Sequence, residues 1–293
     1  MPIQHFLQLC LLAAIWGSSF MLMLITVPEF GIWGMVELRA LLAALILLPI
    51  VWARKQLSAL RVHYKEIIVV GLFNTAIPFC FFGYGALHLP ASLTALLNGT
   101  ASIFGALLAW LWLREQVTGF AKVGFLCGFV GVFLLSYESL TLDGVSIFPV
   151  LACLVATFCY GFAVCYFKKY LPDAKPMPVA AGSQIVSAIV LLPMVFMFPV
   201  STMPSTDAWL AAIILAVFCT GFAYMLYFDL IVKIGAAKAI YVGYMVPVFG
   251  LLWGWSLLDE RISLYMLSGA GVILFGIALT SGAVEQIYKK HMG

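Results

Sequence analysis

A chain of 293 residues with a mean hydropathy of +1.12, 65% hydrophobic and only 9% charged, falls far below the roughly 25% charged residues of a soluble globule, which excludes a water-soluble domain. A formal net charge of +3 names no partner, because in an integral membrane protein the placement of charges matters more than their sum. The seven cysteines all fall in apolar runs, and no Cys/His spacing suggests a disulfide framework or a metal site.

A spanning helix takes about 20 apolar residues. Windows of that length predict ten spans, at roughly 5–25, 31–53, 66–87, 91–113, 119–137, 147–167, 177–199, 208–228, 238–258 and 262–282. The first has no basic leader and no small-residue cleavage site, so it is expected to be a retained helix; it carries Trp16 and Ser19 near its middle. Span two holds Glu37 and Arg39, the charges placed well inside a span. Each costs about 2.5–3.5 kcal/mol at a helix centre, so each is a functional hypothesis for coupling or gating. Two residues apart is about 200° around a helix, so they point to different sides; the competing reading is snorkelling toward the nearer interface.

Span three contributes Asn74. Span four presents Thr94, Asn98, Ser102, Gly105 and Ala109 at helical spacing, and span nine Ala239, Gly243, Pro247, Gly250 and Gly254. The small residues suit close helix packing, whereas a buried amide such as Asn98 needs either an interhelical partner or a cavity. Spans six, eight and nine add Thr157 and Tyr160, then Thr220, Tyr224 and Tyr227, then Tyr241 and Tyr244. Hydroxyl-edged aromatics at mid-span suit a partly apolar solute, while Trp33, Trp52, Trp209 and Tyr137 near span ends fit the interfacial belt. Pro78, Pro193 and Pro247 are expected to kink their helices.

One stretch occurs twice. Phe104 to Ser136 aligns without a gap to Phe249 to Ser281, 145 positions on, with ten identities that include Gly105/Gly250, Glu115/Glu260, Gly124/Gly269 and Gly131/Gly276. Ala44 to Trp52 matches Ala188 to Phe196, and Trp16-Gly17 falls opposite Tyr160-Gly161, both at an offset of 144. The chain is therefore a duplicated unit, divided as 1–143 and 144–293. Five spans per unit is an odd number, so the second unit enters the membrane inverted. Thr118 and Ser263 stand where helices begin, and Glu115 and Glu260 are expected to serve the same helix starts. With the N-terminus in the cytoplasm, thirteen Lys and Arg fall on cytoplasmic turns and tail against Arg261 alone outside, which predicts both termini cytoplasmic.

The motif ELRALLAALILLP from Glu37 to Pro49, the paired hairpins with their glutamates, and ten spans in two halves resemble the EamA family of the drug/metabolite transporter superfamily. The resemblance covers the whole chain. It implies an all-α integral membrane protein of ten transmembrane helices in two inverted five-helix repeats, in the bacterial inner (plasma) membrane. Its implied activity is secondary transport of amino acids or amphipathic metabolites, often outward, by alternating access around a midplane cavity. Trp16, Ser19, Asn74, Asn98, Tyr160, Tyr224, Tyr241 and Tyr244 are the expected substrate-binding residues. The expected partners are a small-molecule solute and the lipid bilayer, with a proton or counter-substrate for coupling and a homodimer as an open alternative; no cofactor and no nucleic acid is expected. A passive channel or lipid scramblase is the competing function. An intramembrane enzyme is disfavoured, because His5, His63, His88 and His291 lie far apart at or beyond span ends.

Overall fold

The computed structural model describes residues 2–141, 146–239 and 241–281, and among them it is helical throughout with no strand. The expected boundary at 143/144 and the basic tail residues Lys289 and Lys290 lie outside the described residues. The first element, α1 (Ile3–Ala53), runs 51 residues and bends at Gly31, whose φ of 67° is open to a residue without a Cβ. Arg39 Nη1 lies 3.8 Å from Met23 Sδ, 16 residues earlier, so the two arms of α1 fold back side by side. The predicted spans one and two are thus one helical hairpin.

A short α2 (Leu57–Val62) leads into α3 (Tyr64–Gly71), a π-helical segment at Leu72–Ala76 and α4 (Ile77–Ala86), the last three forming one apolar run. Next come α5 (Ala91–Asn98) and α6 (Ala101–Leu113), parted at Gly99 and Thr100, then α7 (Gly119–Thr141). The second half has α8 (Ile147–Tyr170), α9 (Pro176–Met197), and α10 (Thr206–Ala216) joined through a second π-helical segment, Val217–Phe222, to α11 (Ala223–Ile234). A turn of helix, α12 (Ala236–Ala239), precedes α13 (Val242–Leu257) and α14 (Leu264–Thr280). Seven of these runs, α1 counted once, are long and apolar enough to cross a membrane, and α13 and α14 are shorter apolar helices.

The helix starts follow local chemistry. Ser146, Ser205 and Ser263 accept hydrogen bonds from backbone N–H groups two or three residues on. Arg114 and Asp259, 145 positions apart, both adopt a left-handed backbone (φ 56° and 53°) and turn the chain out of α6 and α13.

Helices in lipid gain little from hydrophobicity against one another, so small residues that let backbones approach set the packing. A Cβ on Gly17 would lie 2.8 Å from the Gly250 nitrogen, and one on Gly161 would lie 2.7 Å from the Gly105 nitrogen. The first arm of α1 therefore crosses α13 as α8 crosses α6. The repeated glycines of the hairpins meet too: Gly124 sits against the Gly276 carbonyl, and Gly131 against the Gly269 carbonyl. Gly161→Ala should cost about 1–3 kcal/mol by overpacking, whereas Gly271→Ala, with nothing within 4 Å of its Cβ, should be neutral. Thermal unfolding of the detergent-solubilised variants checks this; equal midpoints would show that the crossing repacks without cost.

Candidate functional site

Arg39, on the second arm of α1, is only 6% exposed. Its Nε donates to Thr220 Oγ1 at 2.9 Å, and its guanidinium carbon lies 3.7 Å from the centre of the Phe79 ring. Thr220 belongs to the second π-helical segment, and its hydroxyl donates to the Leu215 carbonyl five residues back, at 3.1 Å. A π-turn displaces backbone carbonyls from their usual donors, and this hydroxyl occupies one of them while its lone pair holds Arg39. The first π-helical segment has a matching arrangement: Thr75 donates to Ser183 Oγ at 3.4 Å, and Ser183 donates to the Ala180 carbonyl at 2.8 Å. Ser183 stands 144 positions after Arg39, and Thr75 stands 145 before Thr220. The two pairs correspond, and only one carries charge.

Around Arg39 lies a cavity of about 320 Å³, the size of a site for one small molecule. Trp16, Ser19, Arg39, Asn74, Asn98, Tyr160 and Tyr224 all line it. The Trp16 ring is 5.3 Å from Tyr227 and 6.4 Å from Tyr224. Phe82 stacks on Tyr160 at 5.9 Å and meets Phe20 edge to face at 5.5 Å. Asn74 donates to the Tyr224 hydroxyl at 3.4 Å.

Three expected residues lie elsewhere. Tyr241 and Tyr244 pack against each other with tilted rings 5.8 Å apart, while their neighbours Val242, Gly243 and Val246 form the cavity wall; the face of α13 turned inward is set by these small and branched residues. Glu37 is buried but does not line the cavity, and its Oε2 has no hydrogen-bond partner among the described residues. Sequence reasoning did not select Met23, Phe79 and Phe82. A mid-span Phe carries no signal that separates a cavity wall from a lipid-facing surface.

The lining residues differ in burial: Phe20, Met23, Arg39, Phe79 and Phe82 are each less than 9% exposed and pack as a wall, whereas Val164 is 58% exposed. Contacts outside the cavity tie the bundle: Glu29 accepts from the Ser205 hydroxyl and backbone N–H, and Phe30 meets Trp209 edge to face. Glu260 adds a further tie. Its carboxylate accepts from the backbone N–H groups of Ala91 and Ser92 at 2.7 and 3.0 Å, capping α5 from the turn between α13 and α14. Glu115, its counterpart in the first half, is paired with exposed Lys168 instead. The expectation that both glutamates serve the helices following them is corrected here. Thr118 and Ser263 cap those helices at 3.3 and 3.1 Å, and a cap already made leaves the glutamates to other partners. A second groove, about 680 Å³, is lined almost wholly by apolar side chains such as Ile32, Leu151 and Val190 and has little to orient a polar solute.

A model of the EamA-like transporter family matches the chain at residues 5–137 and again at 147–282. An uncharacterized transporter of Bacillus subtilis (strain 168), YoaV, is 28% identical over 273 residues, covering 91% of this chain and 93% of that protein. An uncharacterized transporter of Archaeoglobus fulgidus is 24% identical over 94% of this chain and 97% of its own length. The fold is similar to a solved crystal structure with a TM-score of 0.69 at 16% identity, covering 96% of this chain and 98% of the other. With the family model matched across both halves of its sequence, this multi-pass membrane protein belongs to the EamA-like transporter family.

Proposed function

We propose that the chain is a secondary carrier of small amphipathic metabolites or amino acids, working by alternating access in the cell inner (plasma) membrane with both termini cytoplasmic. Ten transmembrane helices, counting both arms of α1, form two inverted five-helix repeats, 1–143 and 144–293, around the cavity. The observation that carries this reading is the cavity around Arg39, flanked by contacts that correspond at an offset of 144 or 145. Gly17 on Gly250 answers Gly161 on Gly105, and Arg39 on Thr220 answers Ser183 on Thr75. An inverted pair of repeats exchanges the two ends when each half adopts the other's arrangement. The family likeness implies transport that is often outward, and the exposed Val164 of the lining lies on the Lys168 side of α8, which suits loading from the cytoplasm.

A passive channel needs a continuous path, and the packed wall at Phe20 and Phe82 opposes one. Proteoliposomes preloaded with a mixture of amino acids and amphipathic amines should show saturable counterflow of a labelled member of that mixture. Flux that rises linearly with concentration and ignores the preload would support the channel instead.

Glu260 is the tie that must break when the bundle opens on its side. Charge-assisted bonds contribute about 1.5–3 kcal/mol each, so Glu260→Gln should shift the population at least about tenfold toward the other state. Labelling of a cysteine placed at Phe20, in a background without the seven native thiols, should rise from the side of Glu260; an unchanged labelling rate argues against the tie.

For proton coupling, Glu37 is the membrane-embedded carboxylate of the described residues. Glu37→Gln should abolish uptake driven by a pH gradient while keeping exchange, and retention of gradient-driven uptake would remove Glu37 from coupling.

A further inference from the structure

Arg39 is a buried cation whose own charge is unanswered. Among the described residues no carboxylate lies within 4 Å of it, since the ion pairs there are Lys168 with Glu115 and Lys233 with Asp229. A guanidinium has five N–H donors. Nε is used by Thr220, and one Nη1 hydrogen is directed at the weak acceptor Met23 Sδ. The Phe79 ring covers the face of the group at 3.7 Å, and Arg39 itself lines the cavity. A guanidinium with donors left over matches a carboxylate, which can accept from two of them at once. The rest of the lining is neutral: Asn74, Asn98, Tyr160 and Tyr224 supply polar edges, and Trp16 supplies an aromatic face. No acidic side chain borders the cavity to receive an ammonium group.

Resting on the carrier reading above, we infer that the solute is an organic anion, with one carboxylate anchored by Arg39 and an apolar, flat or branched body held among Trp16, Tyr160 and Tyr224. Thr220 and Phe79 are positioning residues that aim the anchor. Protein in nanodiscs is titrated with matched carboxylate, carboxamide and amine versions of phenyl, indolyl and branched-alkyl propanoates, and binding is read by thermal shift. Binding should concentrate in the carboxylates. Arg39→Gln should weaken the carboxylates about ten- to hundredfold, from a charged hydrogen-bond pair of about 1.5–3 kcal/mol, and leave the amides unchanged. Arg39→Lys keeps the charge but loses the fork, so it should fall between the two. It also keeps the test sharp if the glutamine variant does not fold.

Equal binding of amides or amines overturns the anchor, as do undiminished carboxylate binding in Arg39→Gln and a panel in which no carboxylate shifts the wild-type protein at millimolar concentration. Counterflow separates the two readings. Carboxylate binding without counterflow keeps the anchor and defeats the carrier, whereas counterflow of an uncharged solute without carboxylate binding keeps the carrier and defeats the anchor.

Discussion

Two backbone contacts organise the molecule: Gly17 on Gly250, and Gly161 on Gly105. In a bilayer the lipid is as apolar as leucine, so helices adhere through dispersion and weak C–H···O contacts made at short range. Glycine provides that range, and a crossing made at one point lets the helices diverge on either side of it. The divergence is the origin of the cavity. Trp16 and Tyr160 each precede the crossing glycine by one residue, about 100° around the helix, so the contact that joins the helices also sets the aromatic residues at the cavity wall. Scaffold and lining are thus coupled in adjacent residues of the same helix.

The second constraint is the fate of polar groups at that depth. Each π-helical segment displaces carbonyls, and each contains a threonine whose hydroxyl enters a hydrogen-bonded chain with the second span of the opposite half. In one half the chain ends at Ser183 and is complete within the protein, through Ala180. In the other it ends at Arg39 and is incomplete. A neutral hydroxyl can be satisfied by its own helix; a guanidinium cannot, and Arg39 lines the space where a solute would lie.

Much of this was legible in the sequence, and the failures share a cause. Apolar windows located each helical run to within a few residues, because span length is set by the bilayer and by the rise of the helix. The glycine stripe at Gly105 and Gly250 suits close packing, and both glycines lie at helix crossings. Trp16, Asn98, Tyr160 and Tyr224 were found from their mid-span position, and all border the cavity. Tyr241 and Tyr244 do not, because periodicity defines a stripe but not which way the helix is rotated. The reach of Glu260 to Ala91 and Ser92 was hidden for a related reason: a local cap explained the same residue, and nothing along the chain reveals a partner 168 positions away.

The unequal pairs also bear on how the two faces hold the solute. Arg39 lies eight residues from the bend at Gly31, whereas Ser183 lies seven residues into α9, toward the end marked by Lys175. Under the proposed exchange of conformations the chemistry does not move with the geometry: Arg39 passes from the packed wall of one cavity to the region nearer the mouth of the other. Against the packed wall, an anion about 4 Å from the guanidinium gains about 4 kcal/mol at an effective dielectric of 20, and near a wet mouth about 1 kcal/mol. The difference of about 3 kcal/mol is a roughly hundredfold loss of hold. Under the two proposals taken together, the hold on the anion is tighter in the conformation seen here than in the exchanged one. Under those proposals a single charge placed off the symmetry axis makes the two faces unequal in their hold on the anion, while the direction of net transport is left to the solute gradient or its coupling.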